Sequence, residues 1–539
     1  MKKALSLLLV ILMAISVIAC GNNNAGNTAN SGNAGSSSTS TSTETKTETK
    51  TESKTESAPS RTDVKIPLSS VGSTLDPHAA TLLVDLQVTA QMYEGLFRLN
   101  DDGVLESRLA EKYEVSADGL EYTFPLRKGV VFHNGDPFTA ADVAWSFQRC
   151  IDNSYKKTLV RDIDKIDIVD DYTIKVTLKT PNSTFPTGLA YLMILNKNVV
   201  EQLGNTYGVT SDDAGTGPYR MENFDQTTKI TLKAFPEYYL GKASIETVEF
   251  VPMLDNSTQL IAFESGQFDF CTINAADWEM IKSSGKYNTA QAPGKQTTFV
   301  CLNVAKKDSP FYDVRVRQAV GYCMNKDDMV AIAAEGLADV AYYMVRPVLI
   351  PGAVETGKFY TQDLEKAKAL LAEAGYPNGF DCQIDVITGA NNRYIKVAEV
   401  LQENLAVIGI NANIVSGEAA TILAAFKNEK TYDIGISGVT WDYSYNEYMG
   451  WINGINTANS QFDLNENIDV KYIQDLGTKA LAASSQEEQD KYFGQVAEYD
   501  FEVAGYLPVL YMQSLYAWNK DLNAKPPVGR YYVYEWSWN

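Results

Sequence analysis

The sequence predicts an α/β fold, because strand-like and helix-like segments alternate along its C-terminal half. Residues 172–178 alternate apolar and polar side chains, which is the pattern of a half-buried strand. Residues 361–375 and 395–408 repeat apolar side chains every three or four positions, as amphipathic helices do, and a strand-like segment follows at 410–415. We therefore expect strands and helices packed in layers around an apolar core.

The ends of the predicted helices carry residues that suit helix termini. We expect Thr361 to cap the start of the first helix and Gly375 to end it, and we expect Gly409 to stop the second. A further helix is expected after Thr139, which caps its start, with Asp142 near its positive N-terminus.

The first sixty residues have the features of an export signal followed by a tether. Two lysines precede an apolar run over residues 4–19, which is shorter than the roughly 20 residues that span a bilayer. The run ends at Ala19-Cys20, which resembles a bacterial lipobox and implies cleavage before Cys20 and a lipid on its sulfur. Residues 21–60 lack the apolar side chains that a core needs. We predict a signal peptide over 1–19 and a lipidated, disordered tether over 20–60, the alternative being a plain signal with an incidental cysteine.

The charge of the chain excludes two classes of partner. The 539 residues include 46 Lys and Arg against 67 Asp and Glu, a net charge of −21. Lys and Glu nearly balance in the first sixty residues, so the excess acid belongs to the remainder. Such a surface argues against nucleic acid, which requires a basic face, and against anionic lipid bound through the protein surface. The length allows two or three domain-sized units.

Sequence motifs of enzyme chemistry are scarce. The two histidines, His78 and His133, lie far apart, and no HExxH, GxSxG or GxGxxG pattern occurs. Residues 352–358 have the spacing of a phosphate-binding loop, but Phe359 stands where Ser or Thr would bind magnesium. We therefore expect no catalytic activity, no metal and no cofactor.

Cysteine usage points to a fold that is held by its core. Five cysteines remain beside Cys20, so at least one thiol is unpaired, and no CxxC spacing suggests zinc. We expect small buried thiols, and the sequence leaves open whether any disulfide forms among Cys150, Cys271, Cys301, Cys323 and Cys382.

Eight motifs then follow one another over more than half of the chain: LDP (75–77), YEGL (93–96), SADGLEYTF (116–124), FHNGDPFTAADV (132–143), GTGPY (215–219), ESGQFD (264–269), DVRVRQA (313–319) and AGYP (374–377). In this order they resemble the peptide and nickel class of extracytoplasmic solute-binding proteins, which includes the oligopeptide- and dipeptide-binding proteins of ABC importers. The resemblance implies a hinged, two-lobed periplasmic-binding-protein fold with an additional subdomain on the first lobe.

The same resemblance implies boundaries for the lobes. We expect the first lobe at 61–98 and 215–298, the extra subdomain at 99–214, the second lobe at 299–505 and a C-terminal return to the first lobe at 506–539. The ligand would lie between the lobes and be enclosed by hinge closure.

A peptide offers amides, an ammonium group and a carboxylate as points of recognition. For the amides, the resemblance points to a strand at the entry to the second lobe, where the ligand could pair as an added strand. The alternative is a strand wholly internal to the core. The residues involved are Phe299, Val300, Cys301 and Asn303.

For the ammonium, peptide-binding relatives use an Asp-Tyr pair after a strand, which corresponds here to Asp442 and Tyr443. We expect Trp441 and Tyr445 to line the same site, although the residues around Asp442 depart from the family pattern. The alternative for Asp442 is an exposed acid in a turn. For the carboxylate, Arg393 and Arg346 are candidates, and the alternative for each is a surface or structural charge.

We thus predict a monomeric, lipid-anchored solute-binding protein on the extracytoplasmic face of the cell membrane. It would capture oligopeptides and deliver them to the permease subunits of an ABC importer. Two alternatives remain at this point. The same fold could bind a carbohydrate or another non-peptide solute, or it could sense a peptide or pheromone without a transport role.

Overall fold

The computed structural model describes residues 61–539 except 70, 71, 73, 81, 102, 211–213, 226, 348–356, 389–391, 427–430, 442–464 and 484. Pro59–Asn539 forms one compact unit. The predicted signal peptide and tether lie outside the described residues. In the described part of the chain, no helix combines the length and apolar character needed to cross a membrane.

The N-terminal part opens with strand β1 (Asp63–Leu68), in which Val64, Ile66 and Leu68 are buried and their neighbours are half-buried. This alternation is the pattern of a strand with one face on a core. The elements that follow are α1 (Leu83–Thr89), β2 (Phe97–Leu99), β3 (Leu105–Ser107), β4 (Glu114–Val115), β5 (Glu121–Pro125), α2 (Ala140–Asn153), α3 (Lys157–Val160), β6 (Ile163–Asp170), β7 (Thr173–Leu178), α4 (Phe185–Gly188) and α5 (Lys197–Leu203).

Part of this region has a hydrophobic core of its own. An antiparallel sheet with the order β4-β5-β7-β6 packs with α2, and Phe124, Phe147 and Ile174 are fully buried there. Helix α2 begins as the sequence predicts, because the backbone N–H of Thr139 donates to the carboxylate of Asp142 at 2.9 Å. Most of this separate core comes from the segment 99–214 that was predicted to form the extra subdomain, and Leu96 and Phe97 just before that segment also belong to it.

The chain then completes a second four-stranded sheet, with the order β1-β10-β9-β8. Val64, Phe250 and Trp536 belong to the core on this sheet, and we call the part packed on that core the first lobe. The elements of this stretch are β8 (Tyr219–Asp225), β9 (Lys229–Ala234), β10 (Thr247–Pro252), α6 (Asn256–Glu264), β11 (Phe270–Thr272), α7 (Ala275–Ser284) and β12 (Tyr287–Leu302).

The C-terminal half builds what we call the second lobe, the part packed on a core that contains Val300, Ile384 and Leu401. Here the α/β alternation expected from the sequence is present. The elements are α8 (Val314–Cys323), α9 (Lys326–Ala333), β13 (Ala338–Val340), α10 (Leu364–Glu373), β14 (Asp381–Thr388), α11 (Arg393–Val407), β15 (Asn411–Glu418), α12 (Ala419–Ala424), β16 (Ile434–Thr440), α13 (Val470–Leu481), α14 (Gln486–Val503) and β17 (Tyr506–Asn519). The chain then returns to the first-lobe core with β18 (Leu522–Asn523) and β19 (Ser537–Trp538).

The ends of α10 and α11 confirm the two predicted stops and correct one predicted cap. Gly375 and Gly409 follow these helices with φ of 93° and 89°, a conformation that glycine adopts without strain. The start of α10 was predicted at Thr361, which is wrong. The helix begins at Leu364, and the side chain of Asp363 caps it by accepting from the backbone N–H of Lys366 at 2.9 Å.

Two long antiparallel strands, β12 and β17, connect the lobes. Ala292 on β12 and Trp518 on β17 belong to the first-lobe core, whereas Val300 on β12 and Leu507 on β17 belong to the second-lobe core. The two strands stand at the centre of a mixed sheet with the order β11-β17-β12-β16-β14-β15, in which β13 also pairs with β17. The exact residue boundaries of the lobes stay a prediction.

The five cysteines of the described region are free thiols, and four of them are buried, as expected. Cys382 is half-buried. Burial raises the pKa of Cys301 to about 12, so this thiol stays protonated at neutral pH.

Candidate ligand-binding site

A cavity of about 510 Å³ opens where β12 and β17 pass from one lobe to the other. Its walls come from both lobes, from the two crossing strands and from the C-terminal segment. The lining residues used below are residues 294–296 of β12, residues 512–516 of β17, Arg393 and Thr440 of the second lobe, Gln87, Asn256 and Gln259 of the first lobe, and residues 529–531.

A bulge in β12 shapes the floor of this cavity. Pro293 pairs with Gln513, but the next paired residue, Thr297, lies opposite Tyr511. Residues 294–296 of β12 therefore lie opposite the single residue Met512. This bulge bends β12 and turns the three residues toward the cavity. Gly294 permits the close approach of the two strands, because a Cβ there would lie 2.4 Å from the carbonyl oxygen of Met512.

Arg393 lies in the cavity wall, where it begins α11. Its Nη2 donates to Oε1 of Gln296 at 2.6 Å, and its guanidinium lies 5.3 Å from the centre of the Tyr394 ring. Burial lowers the pKa of Arg393 from its usual value. The first turn of the helix adds partial positive charge at the same place. This wall is suited to a carboxylate, which is the role the sequence suggested for Arg393.

Arg346 has a different environment and is not among the residues that line the cavity. It forms an ion pair with Asp339, and its Nη1 lies 3.4 Å from the carbonyl oxygens of both Gly294 and Met512. Its guanidinium also lies 5.2 Å from the Tyr511 ring centre. These contacts tie β12 to β17 beside the bulge and favour the structural alternative for Arg346.

Trp441 directly follows Thr440, the residue at which β16 ends beside the cavity. The indole is 1% exposed, and its Nε1 donates to the carbonyl oxygen of Met344 at 2.7 Å. Trp441 therefore packs in the second lobe and anchors the end of β16. Asp442, Tyr443 and Tyr445 lie outside the described residues, so their roles stay predictions.

The segment predicted to pair with a ligand is an internal part of the sheet. Phe299, Val300 and Cys301 are buried, and their backbones pair with β16 on one side and β17 on the other. Asn303 is fully buried, and its amide donates to the carbonyl oxygen of Tyr432 at 2.7 Å. This arrangement fits the internal-strand alternative that the sequence left open.

Two cavity residues were not anticipated from the sequence. Lys295 lies on the bulge and Arg530 on the C-terminal segment, and both face the ring of Tyr191, at 6.0 and 5.1 Å from its centre. No motif marks either residue. Lys295 and Arg530 lie near each other because the C-terminal segment returns to the place where β12 and β17 pass between the lobes.

The two histidines have structural roles. His78 Nε2 lies 2.7 Å from the carbonyl oxygen of Met193, and His133 Nε2 lies 2.9 Å from that of Gly217. Burial lowers the pKa of both to about 4, so both are neutral at pH 7. Over the described residues, no cluster of three His, Cys, Asp or Glu could hold a metal ion.

Comparisons with known proteins agree with this architecture. The family model described as bacterial extracellular solute-binding proteins, family 5 Middle, matches residues 104–461. The glutathione-binding protein GsiB of Pectobacterium atrosepticum is 31% identical over 386 residues, which cover 69% of this chain and 73% of that protein.

Two solved structures show a similar fold. HbpA2 of Haemophilus parasuis has a TM-score of 0.77 at 27% identity and covers 88% of this chain and 100% of its own. The ABC transporter-associated periplasmic binding protein DppA of Helicobacter pylori, in complex with the peptide STSA, has a TM-score of 0.72 at 26% identity. That match covers 88% of this chain and 98% of DppA.

The likenesses confirm the two-lobed fold predicted from the sequence, and they agree with the expectation of a binding protein rather than an enzyme. The chain therefore belongs to family 5 of the bacterial extracellular solute-binding proteins, the solute receptors of ABC importers.

Proposed function

We propose that the protein is a lipid-anchored receptor that captures short peptides between its lobes and delivers them to the permease of an ABC importer. The cavity at the bulge of β12 carries this proposal. Its volume of about 510 Å³ falls within the roughly 300–1,000 Å³ of pockets that enclose small ligands. Both lobes contribute to its walls, so that closure of the hinge would remove the ligand from water.

The chemistry of the walls supports a peptide as the ligand. Asn256 and Gln259 on the first-lobe side bring amide groups to the wall, which match the polar groups of a peptide backbone. The amide of Gln87 instead holds the C-terminal segment, through the carbonyl oxygen of Gly529 and the backbone N–H of Tyr531. Arg393 and the start of α11 suit a terminal carboxylate. Among the relatives, one is named for binding glutathione and another was solved with the peptide STSA.

Asp442 is our candidate partner for the α-ammonium of the peptide. It comes two residues after Thr440, which lines the cavity at the end of β16. A carboxylate there would complement Arg393, so that the two ends of a short peptide meet groups of opposite charge.

Titration calorimetry with free and N-acetylated tri-alanine tests the peptide part of the proposal. The free peptide is expected to bind at least about tenfold more tightly, a difference of about 1.4 kcal/mol, and Asp442→Ala should remove that preference. Glu399→Ala removes an exposed acid of α11 and serves as the matched control. Equal affinity of the wild-type protein for both peptides would exclude Asp442 as the ammonium partner.

The lipid anchor rests on Cys20 and the segments around it. We expect Cys20→Ala to move the protein from the membrane fraction to the soluble fraction, since a diacylglyceryl group can form only on the cysteine sulfur. Fractionation of cells, with Cys382→Ala as a control for cysteine loss, measures this shift. A variant that lacks Cys20 and still partitions with lipid would contradict the anchor.

A further inference from the structure

The charge of the cavity contrasts with that of the chain. The chain has a net charge of −21, yet the described residues that line the cavity include Lys295, Arg393 and Arg530 and no Asp or Glu. The three cations come from three different walls, namely the bulge of β12, the start of α11 and the C-terminal segment. A surplus of positive charge in a cleft, which remains even with Asp442 at one end, raises the local concentration of anionic ligands.

Arg530 is the cation whose geometry is best suited to a ligand. Its side chain is half-buried and lies over the Tyr191 ring, which restricts the guanidinium without using its donors. Among the described residues, no carboxylate forms an ion pair with it. The planar fork of a guanidinium that is already positioned can bind a carboxylate with two parallel hydrogen bonds.

An acid that shares a small adjoining pocket with Arg530 is already engaged. Asp101 lines a small adjoining pocket together with Arg530, Lys295 and Tyr191. Its carboxylate pairs with Nζ of Lys525 at 2.7 Å and accepts from the backbone N–H of Val528 at 3.3 Å. Asp101 therefore forms no ion pair with Arg530, which lines both this pocket and the cavity.

Arg393 and Arg530 mark two separate places for a carboxylate. Arg393 lies on the second-lobe wall, where Gln296 holds it, and Arg530 lies beside Tyr191 on the C-terminal segment. A peptide has one terminal carboxylate, which one of the two guanidinium groups can bind. The other guanidinium, on a different wall, can then bind the carboxylate of an acidic side chain.

We propose that the cavity selects peptides that carry an acidic side chain, and that Arg530, stacked on Tyr191, binds the carboxylate of that side chain. This inference rests on the proposed peptide function. It names a specificity-determining residue and a class of substrate within it.

Tripeptides that differ by one functional group test the inference. Ala-Glu-Ala is compared with Ala-Gln-Ala, and Ala-Ala-Glu with Ala-Ala-Gln, by titration calorimetry. For at least one pair, the wild-type protein should bind the Glu peptide about tenfold more tightly, since a charge-assisted bidentate contact replaces a neutral one. That preference should weaken as sodium chloride is raised, because salt screens the partly exposed cation.

Two substitutions locate the preference at Arg530. Arg530→Gln should bring the Glu-to-Gln affinity ratio close to one, and Arg530→Lys should keep part of it, because lysine retains the charge but not the fork. Lys520→Gln removes an equal charge at an exposed position of the same C-terminal region and should leave the ratio unchanged. Thermal unfolding of each variant confirms that the fold is retained.

The outcomes separate this inference from the function on which it rests. Equal affinity for Glu and Gln peptides in both pairs would overturn the acidic preference and leave peptide binding intact. An unchanged ratio in Arg530→Gln would overturn the role of Arg530. Failure of the wild-type protein to bind any of the four tripeptides would contradict the proposed function and the inference with it.

Discussion

The two halves of β12 have opposite roles although they belong to one strand. Phe299, Val300 and Cys301 are buried and paired on both sides, so this half holds the second lobe together. In the other half, residues 287–293 still pair with β17, but the bulge at residues 294–296, which includes Lys295 and Gln296, leaves this pairing and lines the cavity. The difference shows that recognition groups arise where a strand leaves regular pairing, while the regular part serves the core.

The largest effect that distinguishes the two halves is expected from Phe299→Ala. The side chain is 4% exposed and makes an edge-on contact with Tyr506 at 5.9 Å between ring centres. Its removal should lower the free energy of unfolding by about 3–5 kcal/mol, measured by urea denaturation. The peptide affinity of the folded protein should change by less than about threefold. A small loss of stability with a large loss of affinity would mean that this half binds the ligand.

A smaller effect is expected from the two candidate arginines, which form a matched pair. Arg393→Met should weaken peptide binding about tenfold, because Arg393 lines the cavity, and should cost little stability, because methionine keeps the packing of the aliphatic stem. Arg346→Met should instead lower stability by about 1–3 kcal/mol, because Arg346 ties β12 to β17 and pairs with Asp339.

Calorimetry and urea denaturation of both variants measure these effects side by side. The reverse result, with binding lost in Arg346→Met and stability lost in Arg393→Met, would exchange the roles assigned to the two residues.

The smallest effect on the fold is expected from Gln296→Cys, which places a thiol on the bulge of β12. In a Cys20→Ser background, Cys301 should react slowly with Ellman's reagent at pH 8, because it is buried and its pKa is raised to about 12. Gln296→Cys should add one rapidly reacting thiol, and bound peptide should slow its reaction. Equal reactivity with and without peptide would place Gln296 outside the ligand's reach.

Local features of the fold could be predicted from the sequence because they depend on near neighbours. The alternation in β7, the cap of α2 at Thr139 and the stops at Gly375 and Gly409 are each set within a few residues. The start of α10 was missed because Thr361 and Asp363 are both good capping residues. Only the backbone conformation decides which of them stands at the helix start.

The cavity itself could be predicted only in part. Arg393 could be proposed because it stands at the start of a predicted helix, where some members of the family that the sequence resembles carry basic residues. Lys295 and Arg530 could not, because they are far apart in sequence and meet only when the C-terminal segment returns to the hinge. A strand pattern also cannot tell which half of β12 is paired on both sides, since pairing depends on distant strands.

A crystal structure of the protein with Ala-Glu-Ala bound would test the central claim most directly. The account predicts that the peptide lies in the cavity at the bulge of β12, with a carboxylate within hydrogen-bond distance of Arg393 and the glutamate side chain at Arg530. It also predicts no contact between the ligand and Phe299, Val300 or Cys301. A peptide bound outside this cavity, or paired as an added strand with that half of β12, would contradict the account.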